Sequence, residues 1–180
     1  MRLVAAGALA VLGACATAAD PTDLPPEGTG SSPYGQFLAA RAALNAGRPA
    51  DAARYYGAVR NLDPDAAGIA DERAFIATLL AGDVTTAARL APTSDETSPP
   101  NLSLSRLVRA VEGMSTGRAR QVRDLLIPES AAFPHRAATA LLAPWAAAMA
   151  GDKEGLLVRP QSPGDRMVDV FGLLAQARLF

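Results

Sequence analysis

Residues 37–64 read FLAARAALNAGRPADAARYYGAVRNLDP, and the fold is decided at Gly47, which separates two apolar stretches. Before it, Phe37, Leu38, Ala40, Ala43 and Leu44 recur at the spacing that gathers side chains on one side of a helix, predicting a first helix over 37–46. Gly47 can take the left-handed backbone that ends such a helix, because it has no Cβ to clash. Pro49 then suits the first turn of a second helix, where its missing N–H costs nothing. Ala52, Ala53, Tyr56, Val59 and Leu62 give that helix its own apolar stripe. Asp63-Pro64 stops it. The segment reads as two helices joined by a tight glycine turn.

The turn recurs along the chain. Gly47, Gly82, Gly117 and Gly151 are separated by 35, 35 and 34 residues, and each closes one apolar stretch and opens a shorter one. A period near 34 is that of helix-turn-helix arrays, in which a single hairpin is too small to bury its own apolar side and must stack on the next. Composition agrees: the chain of 180 residues is 49% apolar, mostly Ala and Leu, with few aromatics and no alternating strand pattern. The expected class is all-α.

Gly47, Ala52, Tyr56 and Asp63-Pro64 stand at the relative positions of the glycine, small alanine, aromatic and terminal proline of the tetratricopeptide repeat, so that Pro33 to Ala66 resembles one such repeat. Val59 stands where that family usually has alanine, and the family's early tryptophan is missing. The resemblance implies a right-handed α-solenoid of about four degenerate repeats over 33–180, followed by a final single apolar helix. It further implies that first helices line a groove for another protein or an extended peptide, with Tyr34, Arg41 and Asn45 as contact residues on one helix face. Ala40 and Ala52 would lie where two helix backbones approach closely.

Later units keep the turn and lose other signatures. Ala81-Gly82-Asp83 followed by Ala87-Ala88-Arg89 mirrors Ala46-Gly47-Arg48 followed by Ala52-Ala53-Arg54, but Phe75 falls where a small residue is expected and Pro92 shortens the second helix. In the third unit Leu107, Ala110, Val111 and Met114 precede Gly117, and Val122, Leu125 and Leu126 run on to Pro128. In the fourth, Leu141 to Ala150 precede Gly151, Leu156-Leu157 follow, and Pro144 should kink or divide the first helix. Pro92 to Asn101 and Pro160 to Gly164 read as surface loops. Arg166 to Phe180 reads as a helix apolar on more than one side, and the period would put its turn glycine near position 185. Three readings follow: it packs into the array's own groove, docks on a partner, or belongs to a longer repeat family.

The amino terminus carries an address. Met1-Arg2, the apolar run Leu3 to Gly13 and the small residues around Cys15 have the layout of a secretory signal over 1–14, too short to span a bilayer. Leu12-Gly13-Ala14-Cys15 resembles the lipobox of bacterial lipoproteins, which implies lipid attachment at Cys15. Cleavage after Ala18 is the competing reading. Residues 15–32, rich in Pro, Gly, Ser, Thr and acid, are expected to be a disordered tether. Ala16 after the cysteine, by the same resemblance, implies an outer-membrane lipoprotein of the cell envelope facing the periplasm.

Little in the sequence points to chemistry. The net charge of −1 gives no global attraction to nucleic acid. His135 is the only histidine, set in a connection with no nucleophile beside it; Cys15 is the only cysteine; and no phosphate-binding glycine loop occurs. Asp71-Glu72 and Asp95-Glu96 read as helix-start charges. Arg106, Arg109, Arg118, Arg120 and Arg123 form the one local excess of positive charge, a candidate patch for an acidic segment or phosphate. The expectation is a non-enzymatic interaction scaffold with no metal, cofactor or small-molecule substrate. A structural subunit of an envelope or secretion assembly, and an accessory domain of a cell-wall hydrolase, are the alternatives.

Overall fold

A computed structural model describes residues 32–93, 97–161 and 165–180. The expected signal segment, Cys15 and the tether up to Ser31 lie outside the described residues, as do Asp95-Glu96. The described residues are all-helical, without a strand: α1 (Pro33–Asn45), α2 (Pro49–Leu62), α3 (Ala67–Leu80), α4 (Val84–Leu90), α5 (Pro99–Ser115), α6 (Ala119–Arg123), α7 (Arg136–Ala150), α8 (Lys153–Leu157) and α9 (Arg166–Ala177).

Four turns set this order. Gly47, Gly82, Gly117 and Gly151 have φ of +70°, +82°, +75° and +73°, the positive values found among the described residues. Each is closed by the same pair of backbone hydrogen bonds. At the first, Gly47 N–H donates to the Leu44 carbonyl at 3.0 Å and Arg48 N–H to the Ala43 carbonyl at 2.8 Å. The same pattern recurs as Asp83 to Thr78, Arg118 to Gly113 and Asp152 to Ala147. This double bond satisfies carbonyls that the helix end would leave without partners. In the second and fourth turns the next residue caps the following helix: the Asp83 carboxylate accepts from Thr86 N–H and the Asp152 carboxylate from Gly155 N–H.

Each buried cluster draws on three successive helices. Ala40 and Ala43 of α1 meet Ala52 and Tyr56 of α2 and Ala74 and Ala77 of α3. Phe75 of α3 meets Ala87 of α4 and Val108 of α5; Ala110 of α5 meets Val122 of α6, Leu126 beyond it and Ala146 of α7. Ala40 and Ala52 are both fully buried. Phe75, where a small residue was expected, is fully buried against Ala87 and Val108, beside an α4 half the length of α2.

Several expectations are corrected. α1 begins four residues earlier than Phe37, because Ser32 accepts from Gly35 N–H and Pro33 takes the first turn. Pro99, Pro100 and Asn101 belong to α5 rather than to the loop, since the first turn tolerates both prolines. α7 runs undivided through Pro144. Leu38, Leu62, Val111 and Leu157, assigned to apolar stripes, are exposed, whereas Gln36, Ser103, Ser105 and Thr139 are buried. α9 ends at Ala177, short of Phe180, and packs on α7 and Pro160 through a narrow strip. The strip is Val168, Gly172 and Gln176; a Cβ at Gly172 would stand 2.6 Å from Pro160 Cβ. The Gln176 side-chain amide donates to the carbonyls of Leu156 and Val158, tying α9 to the end of α8.

Candidate functional site

Among the described residues three clefts stand out on the surface of the packed helices. The first, about 230 Å³, lies over α1, α2 and α3. Its apolar floor is made by Phe37 and Tyr56, whose rings meet edge to face at 5.3 Å between centroids, and by Leu44. Arg41 and Asn45, one turn apart on α1, stand beside Arg73 of α3. Among the described residues neither arginine has an ion-pair partner. Two of the three expected groove residues are therefore brought together, while Tyr34 is 71% exposed and outside the cleft. Arg73 was not singled out by sequence; it reaches the cleft because α3 packs on α2, which packs on α1.

The second cleft, about 430 Å³, lies between α4 and α6 over α5. Arg89, Arg109 and Arg118 line it, with Glu112 the single carboxylate. The expected basic patch is thus distributed: Arg109 and Arg118 share this cleft with Arg89, Arg123 lines the third cleft, and Arg106 and Arg120 line none of the three.

The third cleft, about 520 Å³, lies between α6 and α8 over α7. Its floor is apolar, from Leu126, Ala140, Ala143 and Pro144, and its rim is charged. Arg123 bonds Asp152 at 3.2 Å and lies 3.5 Å from Asp124, so its charge is largely compensated. The Asp152 carboxyl is held below the ordinary carboxylate range, first by the hydrogen bond from Gly155 N–H and then by Arg123.

The acidic pair Asp71-Glu72 proves to be structural. It sits inside α3 rather than at a helix start: Asp71 lies 3.4 Å from Arg60 of α2, and Glu72 accepts from Asn101 of α5. His135 lies in the turn that precedes α7, as its place in a connection implied, and partial desolvation lowers its pKa. Among the described residues no three His, Cys, Asp or Glu side chains come together as a metal site, and no helix is long and apolar enough to cross a membrane. No family model, curated protein or solved structure matches the chain.

Proposed function

We propose that the chain is a tetratricopeptide-like α-solenoid that binds another protein or an extended peptide, held in the bacterial envelope through a lipid on Cys15 and lacking catalytic activity. The observation that carries this reading is the first cleft, where Arg41 and Asn45 of one first helix and Arg73 of the next flank the aromatic floor of Phe37 and Tyr56. Ten guanidinium N–H donors and an amide beside two rings suit a segment that offers backbone or side-chain oxygens and one apolar side chain. Four equivalent glycine turns and three-helix clusters repeated along the chain support the solenoid. Such an array keeps a binding surface in shape before the partner arrives, which lowers the ordering cost of association.

The reading is tested by placing a photo-crosslinking residue at Asn45 of the intact protein in envelope membranes. A discrete adduct that disappears with Arg41→Glu and Arg73→Glu supports the groove. Persistence of the adduct in those variants, or turnover of peptidoglycan by the purified protein, would end the proposal. Cys15→Ser tests the anchor separately: it should release the protein from membranes and leave the adduct intact.

A further inference from the structure

The second helices of the later units are short. α4, α6 and α8 have seven, five and five residues, against fourteen in α2. A short second helix leaves the neighbouring first helix partly uncovered, and the second and third clefts arise in this way. The second is walled by α4 and α6 over α5, the third by α6 and α8 over α7, so the same arrangement recurs one unit along with α6 as the shared wall. The first cleft is walled differently, by α1 and α3 on either side of Tyr56. Side chains of α4, α5 and α6 at the second cleft, and of α6, α7 and α8 at the third, therefore form a second, separate recessed surface.

Its charge is uneven. Three guanidiniums and one carboxylate line the second cleft, and Asp83, outside the lining, lies within electrostatic reach of Arg89. Two of the three are held in place: Arg89 donates to the Thr86 hydroxyl at 3.0 Å, and Arg118 donates to the Thr116 hydroxyl at 3.0 Å and to Glu112. Each such bond uses one of five N–H donors, so the guanidiniums are oriented and still have donors to offer. Arg109 is exposed and has no ion-pair partner among the described residues. Between them lie the apolar side chains of Ala88, Val122 and Leu125. Guanidinium donors above an apolar base, two of them oriented and the third free to adjust, match carboxylates spaced along an extended chain, with small apolar groups between them.

We propose that this surface is a second binding site, which takes an extended acidic segment of a partner protein, its carboxylates on Arg89, Arg109 and Arg118. The site rests on residues distinct from the groove of Arg41, Asn45 and Arg73, and either site can fail while the other stands.

The test uses the full chain and a fluorescein-labelled peptide of alternating glutamate and alanine, followed by anisotropy. Binding is expected to weaken as salt is raised toward about 0.15 M. Arg89→Glu with Arg109→Glu should weaken it by about tenfold or more, by replacing two attractions with two repulsions. Arg41→Glu with Arg73→Glu should leave it unchanged. Circular dichroism and urea midpoints establish that the variants fold, and Arg89→Gln with Arg109→Gln, which removes charge without reversing it, should give a smaller loss in the same direction. Unaltered binding in both arginine pairs of this cleft would overturn the proposal, as would an equal loss in the Arg41 and Arg73 pair. Displacement of the peptide by inorganic phosphate at equal concentration would overturn it in favour of a phosphate site. Neutralising Asp20, Asp23 and Glu27 should leave binding unchanged; a severalfold tightening would instead make the chain's own amino-terminal segment the occupant.

Discussion

Gly113 offers a direct measure of how tightly α5 and α6 pack. An alanine there would place its Cβ 2.5 Å from Val122 Cγ2, well inside contact distance, while Arg118 Cβ would be 4.0 Å away. Replacing a helix-interior glycine by alanine ordinarily stabilises by about 1 kcal/mol, through reduced freedom of the unfolded chain and better helix propensity. Forcing an extra carbon into a closed core costs about 1–3 kcal/mol. The steric effect should win, leaving Gly113→Ala destabilised by about 1 kcal/mol, opposite in sign to the usual result. Val122 is buried, and Val122→Ala alone should cost about 2 kcal/mol from lost apolar burial and the cavity left behind. In the double variant the new Cβ occupies part of the space vacated by Cγ2 and the helix gain is recovered. The combined loss should be about 1–2 kcal/mol rather than the additive 3, a coupling of about 1–2 kcal/mol. Urea unfolding followed by far-UV circular dichroism measures all four corners of the cycle. A raised midpoint in Gly113→Ala, or strict additivity, would refute the close approach of α5 and α6.

Three further outcomes follow from the same framework. Gly82→Ala meets no atom within 4 Å, so its cost is backbone strain alone, about 1–2 kcal/mol; Gly82→Asn should lose less, and thermal melts compare the two. Phe75→Ala removes the largest side chain of the α3–α4–α5 cluster and should cost about 3–5 kcal/mol in urea unfolding. Asp83 is held below its ordinary pKa of 3.8 by hydrogen bonds from Thr86, and Asp152 by hydrogen bonds from Gly155 and Arg123. Because the folded values are depressed, the stability these carboxylates contribute is present above 3.8 and lost as pH falls through the folded values. Urea midpoints taken from neutral pH into that range should fall, and Asp83→Asn with Asp152→Asn should flatten the decline.

The four hairpin turns were legible because left-handed backbone is cheap only for glycine, so a residue type at a fixed period carries the geometry directly. The ends of helices were less so. Pro99 and Pro100 read as part of a loop, yet at a first turn a proline starts a helix as readily as it ends one. Leu62 and Leu157 fit an apolar stripe and lie exposed, because periodicity gives the side of a helix and not whether a neighbour covers it. Arg41 and Asn45 were found from one helix face, whereas Arg73 and Arg89 came to their clefts through the packing of one helix on another. Arg89 had a faint signal: it follows Gly82 at the distance by which Arg54 follows Gly47. The clefts themselves depend on where short second helices stop, and Pro92 and Pro128 hint at that without fixing what is uncovered.

The double hydrogen bond at each glycine has a kinetic consequence. Every joint is closed between residues only three to five positions apart, such as Arg48 and Ala43, and adjacent helices then meet at short separation along the chain. Contacts such as Asn101 to Glu72 and Ala132 to Ser103 still span 29 residues, but the entropy lost in closing each turn itself is small. Acquisition of the native state should therefore be fast, in the microsecond-to-millisecond range usual for proteins of low contact order, with any one of the four joints able to serve as the place where ordering begins.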